Sequence, residues 1–199
     1  SEHEGKIRFI ERVISPEIVY PEHIRNLVDT LADKYAAVRS DILRTAIPPR
    51  HVKAEQTDTT SAWEDQGTAK EPDLSAWSAY EYGESFVDAV ITGTLARAAW
   101  QIAPGDDWAA ALAALAAKVA IDGAGVLIVL PDQKDVDQMA AALAEHVGPK
   151  QITTLTASLG PQARYSRFLS VLHGQGRLVI GTRSAAFAPV KNLKLAAVM

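Results

Sequence analysis

The strongest constraint on the fold is a short segment, residues 126–130, which reads Val-Leu-Ile-Val-Leu and is apolar at every position. A strand with apolar side chains on both faces must be covered on both sides, which is typical of a parallel sheet between layers of helices. Strand-like and helical stretches alternate around this segment. The predicted strands are residues 98–103, 126–130, 152–156, 178–180 and 195–198. This alternation predicts an α/β lobe over residues 83–199, with three layers and a parallel sheet.

Helices are predicted before and between these strands from apolar spacing and from residues that favour helix ends. The apolar residues of the first helix are Phe86, Val87, Val90, Ile91 and Leu95. The second helix begins near Asp107. The third begins at Pro131 and Asp132 and ends at Gly148 and Pro149, and the fourth begins at Gly160 and Pro161 and ends at Gly174.

Residues 1–50 predict a small winged-helix-like domain. Pro21 is expected to start a helix, and a second helix is expected over residues 40–46, with Ser40 as its cap. Pro48 and Pro49 are expected to stop that second helix. An extended opening segment is marked by Ile7, Phe9, Ile10, Val13 and Ile14. Two short helices with extended flanks, in a segment of this length, match a winged-helix module.

Residues 51–82 predict an acidic linker or mobile loop. They carry two basic and seven acidic side chains and few aliphatic ones, so they bury little surface to offset the entropy of ordering. Four aromatic residues complicate this interpretation, namely Trp63, Trp77, Tyr80 and Tyr82. They dock either on the neighbouring lobe or on a partner, and the sequence leaves both alternatives open.

Composition excludes several classes of protein. The 199 residues contain no cysteine, so neither disulfides nor thiolate zinc sites are expected. There is no run of 18 apolar residues and no charged leader, so we expect a cytoplasmic protein without membrane contact. The chain begins at Ser1 and stops inside an apolar run at Met199, so we expect a piece of a longer protein.

No catalytic or metal-ligating constellation stands out. The five histidines, His3, His23, His51, His146 and His173, show no metal-ligand spacing. Asp132 and Asp135 resemble paired carboxylates, but their place at a helix start favours capping. We therefore predict no catalytic residue and no metal site in this chain.

The turn before the second helix of the lobe reads Ala103-Pro104-Gly105-Asp106-Asp107. In α/β folds such a turn is where phosphates bind, through close glycines, a Lys and a Ser or Thr. This turn instead offers two carboxylates. Two like charges ~5 Å apart repel by roughly 3 kcal/mol at an effective dielectric constant of 20. We expect nucleotide, with or without Mg²⁺, to bind weakly or not at all, and we predict no cofactor.

The carboxyl-terminal quarter is basic. Residues 146–199 contain seven Lys or Arg residues and no Asp or Glu, although the whole chain carries a net charge of −4. Within this region Gly181, Thr182, Arg183 and Ser184 follow a predicted buried strand. Backbone amides, hydroxyls and a guanidinium in a cationic field suit phosphate, although an ordinary connection on a solvated basic surface is the alternative. Arg164, Arg167 and Arg44 are the further candidates for contact with DNA.

Residues 177–189 resemble the Gly-Thr-Arg-Ser-Ala-x-Phe-Ala-Pro run of the PriA (primosomal protein N′) family of replication-restart helicases. Residues 158–165 resemble the Ser-Gly-Leu-Ser-x-x-Glu-Arg region of that family, and residues 43–50 resemble the end of its winged-helix domain. The resemblance implies a winged helix joined to the first RecA-like helicase lobe. It also implies action on forked or single-stranded DNA at stalled replication forks, with primosome and replication-restart proteins as partners.

The chain departs from that family at one functional loop. Family members that unwind DNA carry Gly-Ser-Gly-Lys-Thr where this chain has residues 103–108. The lost loop and the alanine-rich composition resemble the actinobacterial branch. The resemblance also implies that zinc belongs to a cysteine-rich domain of the family that is absent from this chain, as are its amino-terminal DNA-binding domain and second lobe.

Three functional hypotheses follow. The first is a DNA-binding replication-restart protein with a degenerate nucleotide site and no helicase activity. The second is an active ATP-dependent helicase that uses unconventional phosphate contacts. The third is a primosome scaffold that recruits partners through the aromatic residues of the acidic linker. Calorimetry with Mg-ATP distinguishes the first two, and deletion of residues 55–80 tests the third.

Overall fold

A four-stranded, all-parallel sheet organises the lobe, in the strand order β2-β3-β1-β4. The computed structural model of the protein describes residues 9–199. The strands are β1 (Gly125–Val129), β2 (Ile152–Leu155), β3 (Leu178–Gly181) and β4 (Leu193–Val198). The predicted α/β fold with a parallel sheet is therefore confirmed.

Helices precede and connect the strands. The α-helices are α1 (Glu22–Tyr35), α2 (Arg39–Ala46), α3 (Gly83–Thr92), α4 (Trp108–Ile121), α5 (Gln133–Ala144) and α6 (Pro161–His173). Short 3-10 helices lie at Val52–Gln56, Trp63–Gln66, Ser75–Ala79, Pro149–Gln151 and Arg183–Phe187.

The main core lies between one face of the sheet and a layer formed by α3, α4 and α5. Val126 and Ile128 of β1 and Ile180 of β3 are fully buried in it. Most residues of α4 are buried as well, because this helix packs on the sheet, on α5 and on α3. Its run of small alanines lets these elements approach closely, which explains why a helix with almost no polar face is stable here.

The opposite face of the sheet has a smaller core. Leu127, Val179 and Leu155 point to this side and pack with Val171 of α6. The turn after β3 closes the rest of the layer with Ala185, Ala188 and Val190. The sheet is therefore covered on both faces, as its uniformly apolar strand β1 required.

One predicted strand is wrong. Residues 98–103 have no regular secondary structure, so the sheet has four strands and not the five expected. Trp100 turns into an aromatic cluster instead, with its ring 4.9 Å from Trp77 and 5.7 Å from Tyr80 between centroids. The alanines beside it are exposed, and alanine has a weak preference for strands. Burial of the indole therefore decides the conformation of this segment.

Several predicted helix ends also need correction. Ser40 is not a cap, because α2 begins at Arg39 and Val38 holds the cap position without a side-chain hydrogen bond. Helix α3 ends at Thr92, before Leu95, where Gly93 takes a left-handed conformation. Helix α5 ends at Ala144, four residues before the predicted stop.

The other predicted ends are confirmed. Asp107 caps α4 by accepting a hydrogen bond from the Ala110 amide at 3.0 Å. Asp132 caps α5 in the same way, from the Asp135 amide at 3.0 Å, as the capping interpretation of this pair required. Gly160 and Gly174 flank α6.

Within residues 9–50, helices α1 and α2 pack against each other around a small core, and we call them the helix pair. Ile24 and Val28 of α1 pack with Ala46 of α2. Phe9, Ile10, Val13 and Ile14 are exposed in a segment without regular structure. Ile7 and His3 lie outside the described residues. Within residues 9–50 there is no strand, so the wing of the winged-helix domain stays a prediction.

The acidic segment, residues 51–82, lies on the lobe. Trp63 and Trp77 are both buried, and their indole nitrogens donate to the backbone carbonyls of Gln151 and Ala111 at 2.9 and 3.0 Å. The sequence left two alternatives open for the aromatic residues, docking on the lobe or on a partner. In the structure, Trp63 and Trp77 dock on the lobe. Tyr82, by contrast, is exposed.

Within residues 9–199, no helix combines the length and the apolar character that a membrane span requires.

Candidate nucleic-acid interface

The carboxyl ends of the parallel strands meet at one edge of the sheet, which we call the carboxyl edge. The Leu130 amide, just after β1, donates to the Gly181 carbonyl at the end of β3 at 2.8 Å. The Thr182 amide donates to the Leu155 carbonyl at the end of β2 at 3.2 Å. These bonds hold the ends of three strands together. In open α/β sheets this edge is where ligands bind.

The residues after β3 present free donors at this edge. Among the described residues, the backbone amides of Arg183 and Ser184 and the hydroxyls of Thr182 and Ser184 make no hydrogen bond, and neither does the Arg183 guanidinium. Arg183 and Ser184 are exposed. The Thr182 amide is already used by Leu155. The turn therefore offers one guanidinium, two hydroxyls and two amides to an incoming oxyanion.

Packing alone explains why residue 181 is a glycine. A Cβ at this position would lie 2.0 Å from the Leu155 carbonyl oxygen and 2.7 Å from the Ala185 side chain. Glycine is thus required for the close approach of β2 and β3, independently of any phosphate.

A cleft of about 70 Å³ lies where helix α2 faces the lobe; we call it the junction cleft. Three residues that the sequence predicted as DNA contacts, from three separate segments, line it together. They are Arg44 at the end of α2, Arg164 in α6 and Ser184 in the turn after β3. The remaining walls include Pro48, Pro49, Thr156 and Phe187.

The two arginines of the junction cleft are held differently. Arg164 donates from Nη2 to the Ala157 carbonyl at 2.9 Å, which fixes its guanidinium, and it pairs with no carboxylate among the described residues. Arg44 lies 3.1 Å from Asp41 on its own helix, and both side chains are largely exposed. A pair so exposed contributes little, so Arg44 remains available to another anion.

Arg167 does not join this group. Its Nη1 donates to the Thr154 carbonyl on the outer strand β2 at 2.7 Å. It lines a different, wider groove with Lys150, Asp58 and Asp65. Burial lowers the pKa of its guanidinium. The sequence-predicted contacts therefore divide into six near the carboxyl edge and one beside β2.

The acidic turn before α4 is occupied by its own side chains. The Asp107 carboxylate caps α4 by accepting a hydrogen bond from the Ala110 amide. A phosphate bound at this helix end would need a hydrogen bond from the same amide. The Tyr80 hydroxyl donates to Asp106 at 2.5 Å, and this bond raises the pKa of Tyr80. Both carboxylates thus bind protein donors. Among residues 9–199, there is no group of three side chains suited to hold a metal ion.

No protein-family model matches the chain. Curated proteins do. The chain is 44% identical over 195 residues to "Probable replication restart protein PriA" of Mycobacterium tuberculosis (strain ATCC 25618 / H37Rv), and equally to the protein of that name from Mycobacterium bovis. It is 40% identical over 196 residues to the Mycobacterium leprae protein of that name. By sequence, the chain is related to PriA. The predicted family resemblance is confirmed.

The match covers 98% of this chain but only 30% of the length of each PriA relative. It therefore includes the helix pair, the acidic segment and the α/β lobe together.

Sequence reasoning missed one residue that organises the interface. Phe187, inside the run that resembles PriA, packs against the small core of α1 and α2. It joins the helix pair to the turn that carries Arg183 and Ser184. A large aromatic residue in a turn of small residues was the available signal, because such a residue normally needs a surface to cover it.

Proposed function

We propose that this chain binds the sugar-phosphate backbone of single-stranded or forked DNA along its carboxyl edge, as part of a replication restart protein. The observation that carries the proposal is the turn after β3, which offers unused amide, hydroxyl and guanidinium donors within residues 146–199, a stretch of sequence that contains no Asp or Glu. Such donors recognise phosphate and not base sequence, so binding is expected to be insensitive to sequence. The name that the PriA relatives carry supports the replication restart role.

We further propose that the nucleotide site is degenerate. Residues 103–107 contain no Lys, Ser or Thr, and the carboxylate of Asp107 takes the helix amide that a phosphate needs. Asp106 adds a second negative charge to the same turn. A triphosphate that displaced both carboxylates would break the Asp107 cap of α4 and the hydrogen bond between Tyr80 and Asp106. The two displaced carboxylates would still repel the triphosphate. In this proposal the chain neither binds ATP tightly nor drives unwinding, and its action depends on primosome proteins.

The DNA-binding proposal is tested by measuring fluorescence anisotropy of labelled forked DNA over a series of salt concentrations. For Arg183→Ala we expect weaker binding and a salt slope smaller by about 0.7, the loss of one phosphate contact on a single strand. Lys191→Ala is the matched control. Lys191 is an exposed cation of the same basic region, but it precedes β4 and so lies at the opposite edge of the sheet. If Arg183→Ala and the control both behave as wild type, the proposed interface is wrong.

A further inference from the structure

The junction cleft lies between two parts of the molecule, the helix pair and the lobe. One wall belongs to the helix pair α1 and α2 with Pro48 and Pro49, and the other belongs to α6 and the turn after β3. We propose that the junction cleft takes one phosphate group of the bound strand, and that this phosphate fastens the helix pair to the lobe. The inference rests on the proposed DNA binding and adds a coupling between DNA and the position of α2.

The charge of the cleft favours an anion. Among the described residues, its only charged lining groups are Arg44 and Arg164, one from each wall. Arg44 is paired only with the exposed Asp41, and Arg164 pairs with no carboxylate among the described residues, so both guanidiniums remain available to an anion. A phosphate in the cleft would make a charge-assisted interaction with each of them. The Ser184 hydroxyl, which has no partner among the described residues, adds a neutral donor beside them.

The size of the cleft favours a single phosphate. Its volume of about 70 Å³ exceeds what one water molecule needs. Pro48, Pro49 and Phe187 provide apolar walls beside the two arginines. The cleft therefore has room for more than one water molecule, and a single phosphate group is the anion that we place in it.

The attachment of the helix pair explains why such a phosphate has a mechanical effect. The buried core of α1 and α2 is small, and the half-buried side chain of Phe187 is the lobe residue that packs against it. The segment before α1 is attached separately, by Val19 against α6 and by Glu17 paired with His173. A weakly attached element is sensitive to a ligand that binds only its docked position. By linkage, the phosphate stabilises the docked helix pair, and the docked helix pair in turn raises DNA affinity.

The test is hydrogen exchange of the 199-residue chain with and without a short single-stranded oligonucleotide, read on the amides of α2. We expect DNA to slow exchange in α2. Arg44→Gln should abolish that slowing and reduce the salt slope of binding by about 0.7. Arg44→Lys should restore part of both, because a point charge replaces a bidentate fork. The Arg44 side chain is largely exposed, so the variants are expected to fold.

Arg25→Gln is the matched control, because Arg25 is an exposed arginine of α1 that does not line the cleft. It should keep the DNA-induced slowing. If DNA binds but exchange in α2 does not change, or if Arg44→Gln keeps the slowing, the coupling is wrong while DNA binding stands. If wild type binds no DNA, the proposed function fails and the coupling falls with it.

Discussion

At the scale of single residues, Gly181 shows how packing fixes one identity in the turn after β3. A methyl group at this position would overlap the Leu155 carbonyl, so Gly181→Ala must push β2 and β3 apart. We expect a loss of about 1–3 kcal/mol in the free energy of unfolding, as for other overpacked sites. Urea denaturation measures it. Gly160→Ala is the control, since a Cβ at Gly160 meets no atom within 4 Å. A Gly181→Ala variant as stable as this control would mean that the strands are not packed as described.

A second residue-scale prediction concerns pH. Arg50 holds Glu55 through two hydrogen bonds of 2.8 and 2.6 Å, and Ser15 adds a third at 2.7 Å. The bond to Arg50 first, and that to Ser15 second, lower the pKa of Glu55 from 4.5 to about 2. A carboxylate whose pKa is lowered by folding stabilises the protein above its unfolded pKa. This stabilisation is lost as pH falls from about 4.5 to about 2.

The measurement is thermal melting of wild type and Glu55→Gln across that pH range. We expect Glu55→Gln to have the lower Tm near neutral pH, and the difference to shrink as the solution is acidified. Glu81→Gln serves for comparison, because Glu81 is exposed and has no hydrogen bond or ion pair among the described residues. A Tm difference that stays constant down to low pH would rule out the assigned ion pair.

At the scale of elements, the acidic segment behaves in the structure as part of the lobe. Trp77 packs against Phe86 and Trp100 and is 4% exposed. Trp77→Ala is expected to lower the free energy of unfolding by about 3–5 kcal/mol, as for other buried tryptophans. Tyr82→Ala, in the same segment but 77% exposed, should change it by less than about 0.5 kcal/mol. Equal effects of the two substitutions in urea unfolding would show that the segment is only loosely attached.

Elements with uniform patterns were predictable, and those decided by distant contacts were not. The apolar residues of β1 and the capping residues Asp107 and Asp132 act locally, so the sequence predicted them correctly. Residues 98–103 look like a strand in isolation. Their conformation instead depends on Trp100 reaching Trp77 and Tyr80, which lie about 20 residues away in the chain.

The candidate interface divides in the same way. The turn after β3 was identified from its own residues, because a hydroxyl, a guanidinium and small residues follow a buried strand there. The junction cleft depends on how α2 packs against Phe187, which no local pattern specifies. Arg164 and Arg167 are three residues apart on α6, yet they bond to different backbone carbonyls and line different cavities. The direction in which each side chain extends, and not its position along α6, decides which cavity the arginine lines.

At the scale of the whole molecule, charge is distributed unequally between two candidate phosphate sites. The turn before α4 carries two carboxylates that are already hydrogen-bonded, whereas the turn after β3 carries Arg183 and no carboxylate. Both arrangements belong to the same lobe. We therefore expect the affinity of this lobe for the phosphates of a nucleic-acid strand to be independent of its affinity for a nucleotide.

The most direct test is a titration of the 199-residue chain with fluorescent forked DNA, in the presence and in the absence of Mg-ATP. We predict binding that weakens steeply as salt is raised and that is the same with and without the nucleotide. Undetectable DNA binding at low salt would show that the carboxyl edge is not a DNA interface, and a DNA affinity that shifts when Mg-ATP is added would show that the nucleotide site is functional.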